Sequence, residues 1–162
     1  VTGVPNRRYF VREINNRLKN YTNEKMAIIF IDLDNFKQVN DTLGHAFGDK
    51  VLCDAADCIN RIFSMQDVLG RIGGDEFIAL KDMANVPLKE REELIRKRAV
   101  LLCEDFCRTY MSQNTSIKVS ASVGVALYGV HGTTFHDLYR NADKALYEAK
   151  NRGRNNCVIF HR

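Results

Sequence analysis

The spacing of hydrophobic residues along the chain predicts two long strands. Residues 26 to 33 form a nearly continuous apolar run rich in isoleucine, which is typical of a strand buried on both faces. Residues 117 to 127 place an apolar residue at every second position, which predicts a second strand. A helix or a ligand can approach its other face closely, because the residues there are small. These small residues are Ser122, Gly124 and Ala126.

Apolar residues spaced three or four apart predict helices in the first part of the chain. Asn6 is of the residue type that caps helix N-termini, and an apolar face follows it at helical spacing. That face consists of Phe10, Ile14 and Leu18. Residues 35 to 63 continue the same period, with a break marked by Gly44 and Gly48, so we expect two consecutive helices there.

The second part of the chain predicts two more helices and a short strand. Pro87 is suited to open a long helix, whose apolar stripe extends over residues 88 to 110. Thr134 is the expected N-cap of a last helix, which should stop at Gly153. Residues 157 to 160 are apolar enough for a terminal strand.

A Gly73-Gly74 pair separates two short apolar runs, residues 68 to 72 and 77 to 80. This composition predicts a tight β-hairpin, because glycine reaches positive φ without a steric clash. The order of the elements then contains the βαββαβ core of ferredoxin-like folds. We therefore predict an α+β fold with a palm-type core, in which helices flank a central, mostly antiparallel sheet of five strands.

Two adjacent carboxylates, Asp75 and Glu76, stand where the second strand of this hairpin should begin. Like charges about 4 Å apart repel by roughly 4 kcal/mol at an effective dielectric near 20, so packing alone does not favour them. A solvated hairpin tip is the simple alternative. If the strand that ends near Asp32 is a neighbour in the sheet, the three acids converge. Carboxylates that leave positions open for water and phosphate typically bind Mg²⁺ or Mn²⁺.

The helix that opens at Asn35-Phe36-Lys37 would add an anion site beside these acids, since its free N–H groups and dipole attract negative charge. A plainer interpretation of the same stretch remains open. In this interpretation, Asp34 has no role beyond capping the helix, and Asp32 is an ordinary acid at the end of a strand.

The composition fits one domain over residues 1 to 162, with 45% hydrophobic and 27% charged residues as in ordinary globular proteins. The longest apolar run covers residues 26 to 31, too short to span a bilayer, so no membrane contact and no signal peptide are expected. Five cysteines without a CxxC pair favour reduced thiols, a cytoplasmic location and no zinc site, even at Cys103 and Cys107. The four histidines give no clear chemistry, and three of them are expected at the surface. These three are His131, His136 and His161.

The net charge of +4 is concentrated near the end of the chain, where the segment from Arg140 onward contains six Lys or Arg residues and only two acids. This cluster is too small and too mixed to indicate duplex nucleic acid. It fits a phosphate-bearing small molecule better. For Lys150 and Arg154 alone, a solvated helix end is the commoner explanation.

Several motifs together resemble the GGDEF family of diguanylate cyclases. They are FIDLDNFKQVNDTLGHAFGD at residues 30 to 49, RIGGDEF at 71 to 77, ADKALYEAKNRGRN at 142 to 155, and the opening VTGVPNRR. The resemblance covers essentially the whole chain. It implies the condensation of two GTP into cyclic di-GMP with release of pyrophosphate, by attack of a 3′-hydroxyl across a homodimer. An upstream sensory or dimerisation domain is expected beyond this sequence, and the full protein can be membrane-attached through it.

The resemblance also implies roles for individual residues. Asp32, the Leu33 carbonyl and Asp75 would bind Mg²⁺ together with Glu76, and Asp75 and Glu76 would be catalytic, with Asp75 helping to deprotonate the hydroxyl. The residues implied in substrate binding include Asn40 and Asp49 for guanine and three cations for phosphate. The full set is Asn35, Phe36, Lys37, Asn40, Asp49, Lys150 and Arg154. His45 lies within a matched motif without an assigned role.

The chain departs from the family at its product-inhibition site, which is an Arg-x-x-Asp ahead of the glycine pair. Here the frame begins at Ser64 and ends at Asp67, so the acid is kept and the arginine is lost. Three functions remain in competition. An active cyclase is favoured, a silent GTP-binding regulatory module is the alternative, and a cyclase for adenine-containing dinucleotides is disfavoured by Asp49.

Overall fold

The computed structural model describes Arg12 and residues 26–63 and 68–161. The helix predicted after Asn6 and the degenerate inhibitory frame from Ser64 to Asp67 lie outside these residues. Within the described part of the chain, no helix combines the length and the apolar composition that a membrane crossing requires.

In the described residues, six strands form one sheet in the order β2-β3-β1-β5-β4, with β6 added in parallel to β5 and all other neighbours antiparallel. The strands are β1 (Met26–Asp34), β2 (Val68–Arg71), β3 (Glu76–Asp82), β4 (Arg108–Ser112), β5 (Thr115–Leu127) and β6 (Cys157–Ile159). The α-helices of residues 26–63 and 68–161 are α1 (Phe36–Leu43), α2 (His45–Ile62), α3 (Arg91–Asp105) and α4 (Phe135–Asn151). The predicted α+β fold with its mostly antiparallel sheet is confirmed, with one strand more than expected.

Helices cover both faces of the sheet, which explains the continuous apolar run of β1. Ile29 and Ile31 face a large core shared with α1, α2 and α3. Ile28 and Phe30 face a smaller core shared with α4. Because side chains alternate along a strand, Asp32 continues the row of Ile28 and Phe30 toward the α4 side.

The approach of α4 to the sheet is very close at Gly124 in β5. A Cβ atom added at this glycine would clash with the backbone of α4, at the nitrogen of Leu146 and the carbonyl of Ala142. The predicted close contact on the small-residue face of β5 is therefore confirmed. Thr134 caps α4 as predicted, since its side chain accepts a hydrogen bond from the Asp137 backbone N–H at 3.1 Å.

The predicted helix from Pro87 through Tyr110 is wrong at both ends. A 3-10 turn, Leu88–Glu90, precedes α3, and Leu88 is 68% exposed. After Asp105 the chain forms β4, in which Tyr110 is buried and donates a hydrogen bond to Asp54 in α2 at 2.8 Å. Tyr110 matched the helical spacing by coincidence, because pairing with β5 turned this segment into a strand.

Two smaller expectations are also corrected. Gly73 and Gly74 are outside the positive-φ region, so glycine's conformational freedom does not explain the hairpin. His131 is buried at 7% exposure instead of lying on the surface, and its Nδ1 accepts a hydrogen bond from the Leu127 backbone N–H at 2.9 Å. His136 and His161 are exposed as expected, and all five cysteines are free.

Candidate active site

Three carboxylates converge where β1 and β3 pair. Asp32 lies opposite Glu76 in the antiparallel register, and Asp75 immediately precedes β3. One oxygen from each of Asp32, Asp75 and Glu76 can be chosen so that all three lie within 4.8 Å of one another. The Leu33 N–H donates to the Asp75 carbonyl at 3.1 Å, which ties the hairpin to the end of β1. The predicted convergence of these acids is therefore present.

The hairpin owes its shape to Arg71 at the end of β2. Its Nε donates to the Gly73 carbonyl at 3.1 Å, and its Nη2 donates to the Gly74 carbonyl at 2.9 Å. The Ile72 N–H also donates to the Glu76 carbonyl at 2.9 Å. One planar guanidinium thus holds the two carbonyls that precede the acids, a role that sequence analysis did not assign.

The electrostatics of the acid cluster show that its charge is only partly compensated. Burial raises the pKa of Asp32 to about 6; the hydrogen bond from Lys150 opposes this shift, and the charge of Asp75 adds to it. Burial also raises the pKa of Glu76, with a further contribution from the charge of Asp32. Bringing in a cation would lower the cost of holding these carboxylates ionised. The donor set of hard oxygens therefore fits Mg²⁺ or Mn²⁺.

Lys150 and Arg154 bring positive charge to the same place. Lys150 in α4 forms an ion pair with Asp32, and Arg154 lies 3.9 Å from Asp34, measured from its Nε to Oδ1. Lys150 is therefore more than a solvated helix end. Both cations line an open cavity of about 280 Å³. The other residues that line it are Asp32, Leu33, Asp34, Asn35, Phe36, Lys37, Gln38 and Asp75.

The start of α1 forms one wall of this cavity. Asn35 occupies the N-cap position at a φ of 66°, and its side-chain amide donates to the Lys118 carbonyl at 3.0 Å. Phe36 is buried and Lys37 is exposed. The interpretation of Asp34 as the cap of α1 is wrong, because no side chain caps this helix.

Asp34 is instead bound to residues distant in sequence. Its carboxylate accepts hydrogen bonds from Ser120 Oγ at 2.7 Å, Ser122 Oγ at 2.8 Å and the Asn155 backbone N–H at 3.1 Å. Sequence analysis missed this group. The signal was present in the alternation of β5, whose serines share a face with Gly124 and meet the end of β1 in the sheet register.

Asn40 and Asp49 lie on either side of the junction between α1 and α2, outside the lining of the cavity. The Asn40 side chain lies directly over Gly48, in the space where a Cβ would be. Asp49 follows Gly48 in the first turns of α2 and is exposed. The junction of α1 and α2 thus carries an amide and an exposed carboxylate, residue types whose donors and acceptors can complement the guanine edge.

Comparison with known proteins gives a consistent result. The family model described as "Diguanylate cyclase, GGDEF domain" matches residues 1–156. The bifunctional diguanylate cyclase/cyclic di-GMP phosphodiesterase MucR of Pseudomonas aeruginosa is 40% identical over 84% of this chain and 19% of its own length. The cyclic di-GMP phosphodiesterase PdeR of Escherichia coli is 33% identical over 99% of this chain and 23% of its own length.

Among solved structures, the isolated GGDEF domain of TpbB from Pseudomonas aeruginosa superposes with a TM-score of 0.84 at 33% identity. The match covers 99% of this chain and 92% of that one. By contrast, this chain spans about a fifth of the length of MucR and PdeR.

Proposed function

Since this chain belongs to the GGDEF family, we propose that it is a diguanylate cyclase domain, which condenses two GTP into cyclic di-GMP and releases two pyrophosphates. The observation that carries the proposal is the gathering of three acid oxygens within 4.8 Å. Cations that suit a triphosphate line the cavity that contains two of these acids.

In the proposed site, Asp32, Asp75, Glu76 and the Leu33 carbonyl would hold Mg²⁺ or Mn²⁺. The bound ion would supply Lewis-acid stabilisation of charge on the transferring phosphoryl group. Asp75 accepts the proton of the attacking 3′-hydroxyl, whose oxygen bonds to the α-phosphorus of the other GTP as pyrophosphate leaves. Glu76 keeps the site negative enough to retain the ion.

The remaining residues bind and orient the substrate. Lys37, Lys150 and Arg154 contact the phosphates, and the N-terminus of α1 at Asn35 and Phe36 adds its free N–H groups. In the proposal, Asn40 and Asp49 bind the guanine base, and the Asp49 carboxylate accepts hydrogen bonds from N1–H and N2–H₂. Lys150 must exchange its ion pair with Asp32 for a phosphate when GTP binds.

One site presents one GTP, so the proposed reaction needs a second copy of the domain to deliver the other in line. We therefore propose a homodimer as the productive species. Activity per enzyme should rise with protein concentration over the nanomolar to micromolar range, until the dimer is saturated. A specific activity that stays constant over this range would contradict the dimer.

The direct test incubates the domain with GTP and Mg²⁺ and separates the products by chromatography. Cyclic di-GMP and pyrophosphate in a 1:2 ratio are expected, and chelation of the metal should abolish both. A parallel incubation with ATP controls for base selectivity. Formation of an adenine-containing product at a similar rate would reject the role of Asp49.

A silent GTP-binding regulatory module is the second candidate. It draws support from PdeR, a relative that is named for phosphodiesterase activity. The same assay separates the two functions when it is combined with calorimetry. GTP binding without any cyclic di-GMP, at protein concentrations that saturate self-association, would establish the silent module.

The product-inhibition frame at Ser64 and Asp67 leads to a proposal about regulation. Losing one bidentate charged partner commonly costs about 2–5 kcal/mol, so cyclic di-GMP should bind this frame at least about thirtyfold more weakly than a complete one. Turnover should continue at product concentrations that arrest a domain with the full motif. Ser64→Arg should introduce inhibition without changing the KM for GTP, and tight product binding at Asp67 in the unmodified domain would refute the proposal.

A further inference from the structure

The Asp34 carboxylate connects three separate parts of the fold beside the proposed phosphate site. It ends β1, is 4% exposed, and receives its hydrogen bonds from two serines of β5 and from the turn that follows α4. The turn contact is the Asn155 backbone N–H at 3.1 Å. A buried carboxylate with several donors is held in one orientation, and so are the groups that donate to it.

The turn after α4 has an unusual backbone that requires such support. Arg154 and Asn155 have φ values of 64° and 49°, a left-handed conformation that residues with side chains seldom adopt. Such conformations persist where surrounding contacts fix them. Asn156 contributes from within the turn by donating to the Ala149 and Arg154 carbonyls, each at 2.8 Å. Two hydrogen bonds join the turn to the sheet: Asp34 accepts from the Asn155 N–H at the end of β1, and the Val123 N–H of β5 donates to the Asn156 carbonyl at 3.0 Å. Of the two, Asp34 is the one beside Arg154.

Arg154 is the residue that this turn presents to the cavity. Its Nε lies 3.9 Å from Asp34 Oδ1, yet its side chain remains 59% exposed. The guanidinium is therefore oriented from one side by a buried charge, while most of it stays accessible to a ligand in the cavity that it lines.

We propose that Asp34 is a positioning residue for phosphate binding, which fixes the 154–155 turn and thereby holds Arg154 at the cavity. The inference rests on the proposed function for the identity of the ligand, a guanosine triphosphate. Asp34 itself does not touch the substrate in this proposal. Its effect is on affinity for the triphosphate and not on the chemical step.

The test compares Asp34→Asn with the unmodified domain. The amide has the shape of the carboxylate, but its NH₂ group cannot accept hydrogen bonds from the donors that surround Asp34. The turn therefore loses its charged contact at Asn155 and keeps only the bond between Val123 and Asn156. The affinity for a GTP analogue with a non-hydrolysable α,β bridge, measured by calorimetry, should fall about tenfold, in line with the loss of one charged hydrogen bond. The KM for GTP should rise by a similar factor while kcat changes by less than about threefold.

A double-mutant cycle shows whether Asp34 acts through Arg154. Arg154→Ala should weaken analogue binding by itself, and adding Asp34→Asn to it should cause little further loss. Independent, multiplying losses would overturn the proposal, as would unchanged binding in Asp34→Asn. Asp57→Asn, an exposed acid in α2, is the matched control.

Thermal unfolding must accompany each variant. If Asp34→Asn does not fold, Ser120→Ala replaces it, since it removes one anchor of the carboxylate and keeps the charge; an affinity equal to that of the unmodified domain would then overturn the proposal. The two hypotheses fail differently. If the unmodified domain makes no cyclic di-GMP, the cyclase function is rejected. The double-mutant cycle on analogue binding still tests the positioning role of Asp34. A cyclase whose Asp34→Asn variant binds normally rejects only the positioning role.

Discussion

Asp32 and Asp34 stand two residues apart at the end of β1, and both are buried on the side of the sheet that faces α4. Their surroundings are opposite. Asp34 receives three hydrogen bonds from neutral donors. Asp32 lies next to Asp75 and Glu76, with the Lys150 ammonium as its cationic partner, and burial raises its pKa to about 6.

The difference shows that burial does not by itself mark a functional acid. A carboxylate whose lone pairs are filled by protein donors stabilises the fold and has little capacity left for a ligand. A buried carboxylate that faces other carboxylates destabilises the folded protein unless a bound cation compensates the charge. We therefore assign Asp34 to positioning and Asp32 to metal binding.

The largest effect should come from weakening the acid cluster. Asp32→Asn and Glu76→Gln each remove an anionic metal ligand, so turnover of GTP should fall about a thousandfold or more, equivalent to about 4 kcal/mol of transition-state stabilisation. The metal-free fold should keep or gain stability, because repulsion is relieved. Asp57→Asn and Glu93→Gln, exposed acids on α2 and α3, are the controls. Rates within tenfold of the unmodified domain would disprove the metal assignment.

Stability should depend on Asp34 much more than on Asp32, the reverse of the expected order for turnover. Asp34→Ala leaves two hydroxyls and one backbone N–H without their acceptor, so the free energy of unfolding should fall by about 2–4 kcal/mol. Asp32→Asn should change it by less than about 1 kcal/mol. Urea denaturation of the metal-free domain measures both values. Equal losses would remove the distinction between a satisfied and an unsatisfied acid.

Gly124→Ala tests the contact that brings α4 to both aspartates. The added Cβ would push against the α4 backbone, including the Cα of Leu146 at 2.8 Å, so we expect a loss of about 1–3 kcal/mol in the free energy of unfolding. Gly74→Ala is the matched control, because a Cβ there meets open space. A stable Gly124→Ala domain would mean that α4 can move away from the sheet without cost.

The smallest effect should come from Arg71→Lys. An ammonium cannot reproduce the fork that joins the Gly73 and Gly74 carbonyls, so the hairpin should loosen at a cost of about 1 kcal/mol. GTP turnover should fall several-fold, since Asp75 and Glu76 follow this turn. Arg61→Lys, in an exposed ion pair with Asp105, is the control for a generic arginine loss. Unchanged turnover in Arg71→Lys would show that the acids do not depend on the clamp.

Much of the fold could be predicted because its signals are local. The apolar run of β1, the break at Gly44 between α1 and α2, and the Thr134 cap of α4 each depend on residues within a few positions of one another. The motifs around Asp32 and Asp75 are also local, so the acids of the site could be predicted as well. The helix prediction was wrong around Tyr110, because pairing with β5, a partner outside the local pattern, made this segment a strand.

The sequence by itself determined most of the elements, the α+β class and the residue types of the site, since periodicity, capping and motif spacing are local properties of the chain. The strand β4 was not among them. The tertiary structure alone decided what each buried acid meets. Asp34 lies more than eighty positions from Ser120 and Ser122, and Asp32 more than a hundred from Lys150. These contacts exist because the register of β1 against β3 and β5 sets neighbouring strand positions side by side, and because Gly124 lets α4 pack against the sheet.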